Sequence, residues 1–284
     1  MKIPKALQPL IEDGILDEVL RPLKSGKEAE VYVVRSGTTI RCAKVYKDLG
    51  QRSFQRRVSY QEGRQLRGSR QARASARGTR FGRKEQEIAW KNAEVDALYQ
   101  LSAAGVRVPQ PCGHFNGVLV MELITDSEGS PAPRLGDVEL TGDEARQFHG
   151  ILIGQIVRML CAGLVHGDLS GYNVLLDAHG PVIIDLPQVV SAAGNNNARA
   201  MLIRDVANIG ATFGHFAPEL PALRYGEEMW ALFEKGLLRP ETRLTGEFAD
   251  DESAADVEGT LAAIEDAREE AIRRQLARDA GLLP

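Results

Sequence analysis

The chain has 284 residues, a formal net charge of −4, 43% hydrophobic and 26% charged residues, which suits one substantial core or two lobes and excludes a fibrous or wholly disordered class. Lys2, Lys5, Glu12, Asp13, Asp17 and Glu18 leave the first twenty residues without an apolar core, so no secretory leader is expected; the longest apolar run, Ile151 to Val165, is broken by Gln155 and Arg158 and is too short to span a bilayer. Cys42, Cys112 and Cys161, odd in number and widely spaced among apolar neighbours, argue for reduced core thiols, and the expectation is a cytoplasmic protein without membrane contact.

Residues before Leu20 form a short amphipathic lead-in. Leu23 to Val34 then reads as a Gly-containing turn feeding a β-branched strand, which Ser36-Gly37-Thr38 turns into a second strand, Thr39 to Tyr46. Backbone N–H groups and an ammonium in such a turn suit phosphates, so Ser25, Gly26, Lys27 and Val31 are candidate nucleotide contacts. The turn is neither G-x-G-x-x-G nor Walker A, and alone it is a weak signal.

Lys44 sits within the apolar run Cys42-Ala43-Lys44-Val45-Tyr46. Taken alone it could be an ordinary edge-strand lysine. A partner lies downstream. Residues 85–104 have helical periodicity, with Trp90, Ala97, Leu98 and Leu101 on one stripe and Glu94 four residues from both Trp90 and Leu98. A carboxylate on an apolar face is costly unless paired, and Lys44 is the expected partner. Such a pair would hold the lysine against α- and β-phosphates.

Between these elements lies a strongly basic run, Arg52 to Lys84, in which eleven Arg and Lys residues are opposed only by Glu62. A solvated insertion and a docking segment for RNA or an acidic protein are equally compatible with it, since aromatics are few. Gly117 to Met121 reads as a buried strand leaving the first lobe, and Glu122-Leu123-Ile124 as the connection to the second. Extended backbone there offers the N–H and C=O pair an adenine edge needs, so Glu122 and Ile124 are candidates through their main chains, with Met121 as the wall. Ser130-Pro131-Ala132-Pro133 reads as a stiff loop, Thr141 to Glu144 as an N-cap region, and Ala145 to Leu164 as an apolar central helix.

The chemistry concentrates in Leu164-Val165-His166-Gly167-Asp168-Leu169-Ser170-Gly171-Tyr172-Asn173 and the following Pro181-Val182-Ile183-Ile184-Asp185. Phosphoryl transfer needs a group to orient the attacking hydroxyl and oxygen ligands to hold Mg²⁺ on the phosphates. Asp168 fits the first role, and Asn173 with Asp185 the second; the spacing H-x-D-x-x-x-x-N, then a strand closing on Asp, matches the kinase template. His166 alone is better explained as a core residue bonding the backbone. Ala198 to Phe213 is again helical, and its Asp205, among Leu202, Val206 and Ile209, reads as a buried aspartate bonded to the catalytic-loop backbone, with a surface aspartate as the competing reading. Ala255 to Ala280 reads as a final amphipathic helix without assignable chemistry.

Taken together, S-G-K-E-A-x-V-Y at Ser25 to Tyr32, K-V-Y-K at Lys44 to Lys47, W-x-x-x-E-x-x-x-L at Trp90 to Leu98, L-V-M at Leu119 to Met121, P-A-P at Pro131 to Pro133 and H-G-D-L-S-x-Y-N-V-L-L followed by I-I-D resemble the RIO kinases, atypical serine/threonine protein kinases. The resemblance covers most of the chain and is closest to the subclass lacking an N-terminal winged helix. It implies an α+β bilobal fold: a small antiparallel sheet lobe, residues 1–121, with a basic insertion near 48–84, and a mostly helical lobe, 122–284, with a truncated substrate region.

The resemblance further implies ATP as donor with Mg²⁺, or Mn²⁺ in its place, phosphate contacts from Ser25 and Lys27, Asp168 as base, and Asn173 and Asp185 as metal ligands. Protein substrates, autophosphorylation on serine and contact with RNA or a ribosomal particle through Arg52–Lys84 are the partners it suggests. In related proteins the aspartate matching Asp185 has been proposed to accept phosphate itself, which would give ATPase-type turnover. Gly167 stands where ordinary protein kinases carry arginine, so activity independent of activation-loop phosphorylation is expected; no A-P-E segment follows Asp185, which leaves the peptide substrate site undefined. Two other classes share part of the pattern: small-molecule phosphotransferases of the aminoglycoside or choline type, and an ATP-sensing module on a ribonucleoprotein.

Overall fold

A computed structural model describes residues 3–26, 29–47 and 93–249. The chain divides into a unit Met1–Glu247 and a second unit Phe248–Pro284. The expected C-terminal helix, the basic run, Lys27 and Trp90 lie outside the described residues.

The first elements are the short helix α1 (Gln8–Glu12) and the strands β1 (Glu18–Ser25), β2 (Ala29–Ser36) and β3 (Thr39–Tyr46). Residues 93–103 are helical (α2), and β4 (Pro111–Phe115) and β5 (Val118–Glu122) follow. The five strands form one antiparallel sheet in the order β1-β2-β3-β5-β4. Gly37, at φ +61, makes the tight β2–β3 turn that a side chain would strain. Strand β3 is interior, with Lys44 opposite Val31 on one side and Leu119 on the other. Lys44 is therefore not an edge-strand lysine.

One face of the sheet packs Val34, Ala43, Val118 and Val120 against Leu7, Leu10 and Leu16 of the lead-in, a small separate core. The larger core runs from α2 through the helices of the second half: α3 (Gly142–Cys161), α4 (Ala198–Gly214) and α5 (Tyr225–Glu234). Two short antiparallel pairs, β6 (Leu164–Val165) with β9 (Val190–Ser191) and the hairpin β7 (Val174–Asp177) with β8 (Gly180–Ile183), complete the scaffold.

Helix α3 starts three residues before the expected Ala145 and stops three before Leu164. Thr141 caps it: its hydroxyl accepts the Glu144 N–H at 3.3 Å while the Glu144 carboxylate accepts the Thr141 N–H at 2.9 Å, a reciprocal box that makes Gly142 the first helical residue. At the other end Gly163 takes φ +77, and the chain leaves the helix there for β6.

Candidate active site

Strand β3 and helix α2 bring Lys44 and Glu94 together. Glu94 shares its stripe with Leu98 and Leu101, and all three are buried. Its Oε1 accepts from Lys44 Nζ at 2.5 Å, and Lys44 Nζ also lies 3.1 Å from Asp185 Oδ1. Burial alone would lower the Lys44 ammonium's pKa; the Glu94 and Asp185 carboxylates outweigh it and raise the value, so the cation stays charged. Burial first, then the Glu94 charge, likewise raise the Tyr46 phenol, whose ring lies 5.6 Å from Lys44 Nζ.

This cluster lies in a cavity of about 580 Å³. Val31, Cys42, Leu119, Met121, Ala132 and Leu175 give it apolar walls, and Gly26, Glu122, Ile124 and Asp185 also border it. The volume falls within the range of small-molecule sites. Burial pushes the Cys42 thiol up to about 12, so it acts as wall and not as nucleophile. Of the cysteines, Cys42 is buried as expected, whereas Cys112 is exposed on β4.

Asp168 and Asn173 do not border the cavity, but short links join them to its edge. The Asn173 amide donates from Nδ2 to the Asp168 carbonyl at 2.8 Å, which turns its oxygen the other way. The Ile184 N–H donates to the Asn173 carbonyl at 2.9 Å, so Asn173 and Asp185 stand at the same end of the β7–β8 hairpin. Asp185 occupies the left-handed region at φ +64, and its side chain is 50% exposed. An amide oxygen and an accessible carboxylate are hard donors that suit Mg²⁺ with phosphates and water completing the shell; among the described residues no cluster of three or more His, Cys, Asp or Glu offers an all-protein cage.

The loop from His166 to Leu169 is held almost atom by atom. Asp205 on α4 is 1% exposed and accepts the Gly167 N–H at 2.7 Å and the Leu169 N–H at 3.1 Å, as its place on an apolar helix face suggested. Arg204 donates to the Gly167 carbonyl, and Asn208 Nδ2 to the Leu169 carbonyl at 3.1 Å. Gly167 itself sits at φ +81. Buried His166 receives the Asp168 N–H on Nδ1 at 3.3 Å and has Nε2 3.1 Å from the Ile184 carbonyl; a neutral ring protonated on Nε2 satisfies both contacts. Burial holds that imidazole below its usual value and so favours the neutral form.

Two further arrangements bear on the cleft. Ser25 lies at the end of β1 and does not border the cavity; Lys47 Nζ donates to its hydroxyl at 3.1 Å and to the Gly26 carbonyl at 3.0 Å, and pairs with Glu30 at 3.2 Å. Glu122 turns its carboxylate away to Arg107, whose guanidinium donates to Glu122 Oε2 at 2.8 Å and to Asp177 Oδ2 at 2.8 Å. The Arg107 backbone N–H reaches Gln155 of α3 at 2.8 Å, and its carbonyl accepts from Ile183. Sequence reasoning singled out neither Arg107, Arg204 nor Asn208. For the last two a signal existed: polar residues at 204, 205 and 208 fall close together on a mostly apolar helix.

Residues 30–225 match the RIO domain family model. The chain is 32% identical over 211 residues to the RIO-type serine/threonine-protein kinase Rio1 of Haloferax volcanii, covering 73% of this chain and 67% of that protein. It is 31% identical to the serine/threonine-protein kinase RIO1 of Chaetomium thermophilum (72% of this chain, 41% of that protein) and 31% identical to that of Homo sapiens (72% and 34%). The matched region thus spans two thirds of the archaeal relative and well under half of the two eukaryotic ones.

Proposed function

The chain belongs to the RIO domain family, and from that premise we propose that it is a serine/threonine protein kinase that binds ATP in the cavity beneath β1 to β3 and transfers the γ-phosphate to hydroxyls of proteins, itself included. The observation that carries this is the meeting of Lys44, Glu94 and Asp185 at 2.5 and 3.1 Å on one wall of the cavity, with Asp168 and Asn173 linked to the same edge through Ile184.

In this function Lys44, fixed by Glu94, holds the α- and β-phosphates, and Gly26 with Lys27 covers them. Ser25 contributes once Lys47 releases it. Met121 and Val31 contact the base. The Glu122 N–H is bonded to Gln110 and the Ile124 carbonyl to Ala132, so the adenine edge is left the Glu122 carbonyl and the Ile124 N–H. Asn173 and Asp185 hold Mg²⁺, or Mn²⁺, which when bound neutralises charge on the phosphates. Asp168, on a loop immobilised by Asp205, orients the acceptor hydroxyl and takes its proton. Phosphorylation of an activation loop is not needed for this, because Arg204, Asp205 and Asn208 already hold the loop.

A second outcome of the same site is supported by Asp185. Its half-exposed carboxylate beside Lys44 could itself receive the phosphate and release it by hydrolysis, giving ATPase-type turnover. The basic run Arg52–Lys84 would then couple turnover to RNA or a ribosomal particle, a role supported by its eleven cations; salt-dependent RNA binding lost on deletion of residues 51–84 tests it. The cellular expectation stays cytoplasmic. Among the described residues no helix is long and apolar enough to cross a membrane.

Incubation with γ-labelled ATP and a divalent ion, followed by mapping of the modified residue, tests the proposal. A serine ester on this chain or on an added protein supports the kinase, and a hydroxylamine-labile label on Asp185 supports the ATPase outcome. Label transferred to aminoglycosides or choline and never to protein overturns both.

A further inference from the structure

The turn after Asp185 brings one polar side chain to the base. Leu186, Pro187, Val189 and Val190 are all buried, and the Val189 N–H closes a turn on the Leu186 carbonyl at 3.2 Å, so the backbone between them has little freedom. Gln188, half-buried in that turn, donates from Nε2 to Asp168 Oδ2 at 3.3 Å. The amide must present its nitrogen there, since its oxygen would face a second acceptor. Between Asp168 and Asn173 the loop holds Leu169, Ser170, Gly171 and Tyr172, none of them cationic. The Gln188 amide, a neutral donor from a separate segment, is thus one partner of the carboxylate.

We propose that Gln188 is a positioning residue for phosphoryl transfer: by holding Asp168 Oδ2 it sets the plane of that carboxylate toward the acceptor hydroxyl and ties it to the turn that follows Asp185. The inference rests on the kinase function proposed above. In the transfer, the acceptor oxygen bonds to the γ-phosphorus, the hydroxyl proton passes to Asp168, and the bond from phosphorus to the β–γ bridging oxygen breaks with its electron pair leaving on ADP. Gln188 gives and takes no proton. A neutral amide can orient the base without the full positive charge that would make the carboxylate a poorer proton acceptor. Because Asp185 directly precedes the turn that carries Gln188, a nucleotide that fixes Asp185 also fixes the orientation of the base.

The test uses the full-length protein with Gln188→Leu and the nearly isosteric Gln188→Glu, measuring kcat and KM for ATP across pH, ATP affinity by calorimetry and melting temperature. Gln188→Leu is expected to lower kcat about 10- to 100-fold with KM and ATP affinity within about twofold of wild type. Gln188→Glu keeps the shape of the side chain but removes the donor and sets a like charge against Asp168, so its kcat falls as well with ATP affinity kept. A purely structural role would lower melting temperature and ATP affinity along with kcat. Wild-type kcat in Gln188→Leu overturns the proposal, as does a loss of ATP affinity that accounts for the whole effect. If Gln188→Leu does not fold, the similarly long and donor-free Gln188→Met takes its place. A wild-type protein that binds ATP and transfers nothing overturns the kinase function and this inference with it, a failure told apart because it shows before any substitution.

Discussion

Lys44 Nζ stands 2.5 Å from Glu94 Oε1, a lysine in the middle of a sheet facing a carboxylate from a helix fifty residues further along the chain. Both side chains are nearly enclosed, at 12% and 5% exposure. A pair so placed contributes little net stability through attraction, since desolvation offsets most of it, but loss of one partner strands the other charge. The pair is better understood as a device that fixes a cation in a cavity.

Glu94→Gln leaves the Lys44 ammonium facing Asp185 alone and should draw it toward that carboxylate. The expected result is a fall in transfer of at least about tenfold and a destabilisation of up to about 3–5 kcal/mol. Lys44→Ala should lower kcat more than it raises KM for ATP, because the phosphates lose their anchor while the apolar walls stay. Steady-state kinetics and urea melts check both. Unchanged turnover in either variant would remove the pair from the mechanism.

Asp168→Asn keeps the shape of the loop, whose geometry is set by Asp205, Arg204, Asn208 and His166 bonding backbone atoms. ATP binding should be nearly normal and transfer should fall by about 10²- to 10⁴-fold, the range for loss of a positioned base. Autophosphorylation near the wild-type rate would show that the carboxylate takes no part.

Arg107 joins the end of β5, the β7–β8 hairpin and α3 through Glu122, Asp177 and Gln155. Asp177 is 6% exposed on its side chain, so Arg107→Ala leaves a nearly buried carboxylate without its cation. A loss of about 1–3 kcal/mol and a raised KM for ATP are expected, the latter because Glu122 borders the cavity. Arg107→Lys should recover only part, since one ammonium cannot serve two carboxylates in the forked geometry. Equal stability of Arg107→Ala and wild type would contradict the network.

The parts of this site that sequence made legible share a property. Lys44, Glu94 and Asp205 are charges on apolar strands or helix faces, and a charge there must have a partner, so each announces one. Helix α4, expected over Ala198 to Phe213, runs one residue longer, to Gly214. Other features announced less. Strand β1 carries Arg21, Pro22 and Lys24 and buries only Val19 well, because it is an edge strand whose pairing needs one side alone. Strand β4, Pro111–Phe115, contains two turn formers, Pro111 and Gly113, and looks like loop until β5 pairs with it. Arg107 and Gln188 lie in loops without periodicity, and their partners are fixed only by the folded topology. The α3 boundaries were misjudged because Gly142 is a poor helix former that the Thr141–Glu144 box nevertheless recruits.

Two buried groups should give the protein opposing responses to acid. His149 on α3 is 3% exposed, edge-on to Phe213 at 5.6 Å and near Tyr225 at 5.7 Å, and burial holds it down at about 4. The unfolded chain takes up this proton below the ordinary imidazole value of 6.5 while the folded chain resists it to about 4, so the His149 contribution to stability is complete above 6.5 and is lost as pH falls through that window. Asp205 runs the other way. Burial pushes its carboxyl up to about 7 from 3.8, against the pull of two backbone N–H groups and Arg204, so the folded chain holds a proton that the unfolded chain has released, and its contribution declines as pH rises from 3.8 to 7. Between about pH 4 and 6.5 the two slopes have opposite sign and comparable size, each on the order of 1.4 kcal/mol per pH unit. His149→Phe, which keeps a ring against Phe213, should therefore gain on wild type as pH is lowered from 6.5 to 4.5, and Asp205→Asn should gain on wild type as pH is raised over the same interval. Urea denaturation of the three proteins at half-unit steps measures the differences, in which titrating groups not coupled to the substituted one cancel. Parallel stability curves for wild type and His149→Phe would mean that His149 is not desolvated as the structure has it. Parallel curves for wild type and Asp205→Asn would mean that the two amide donors hold Asp205 ionised throughout.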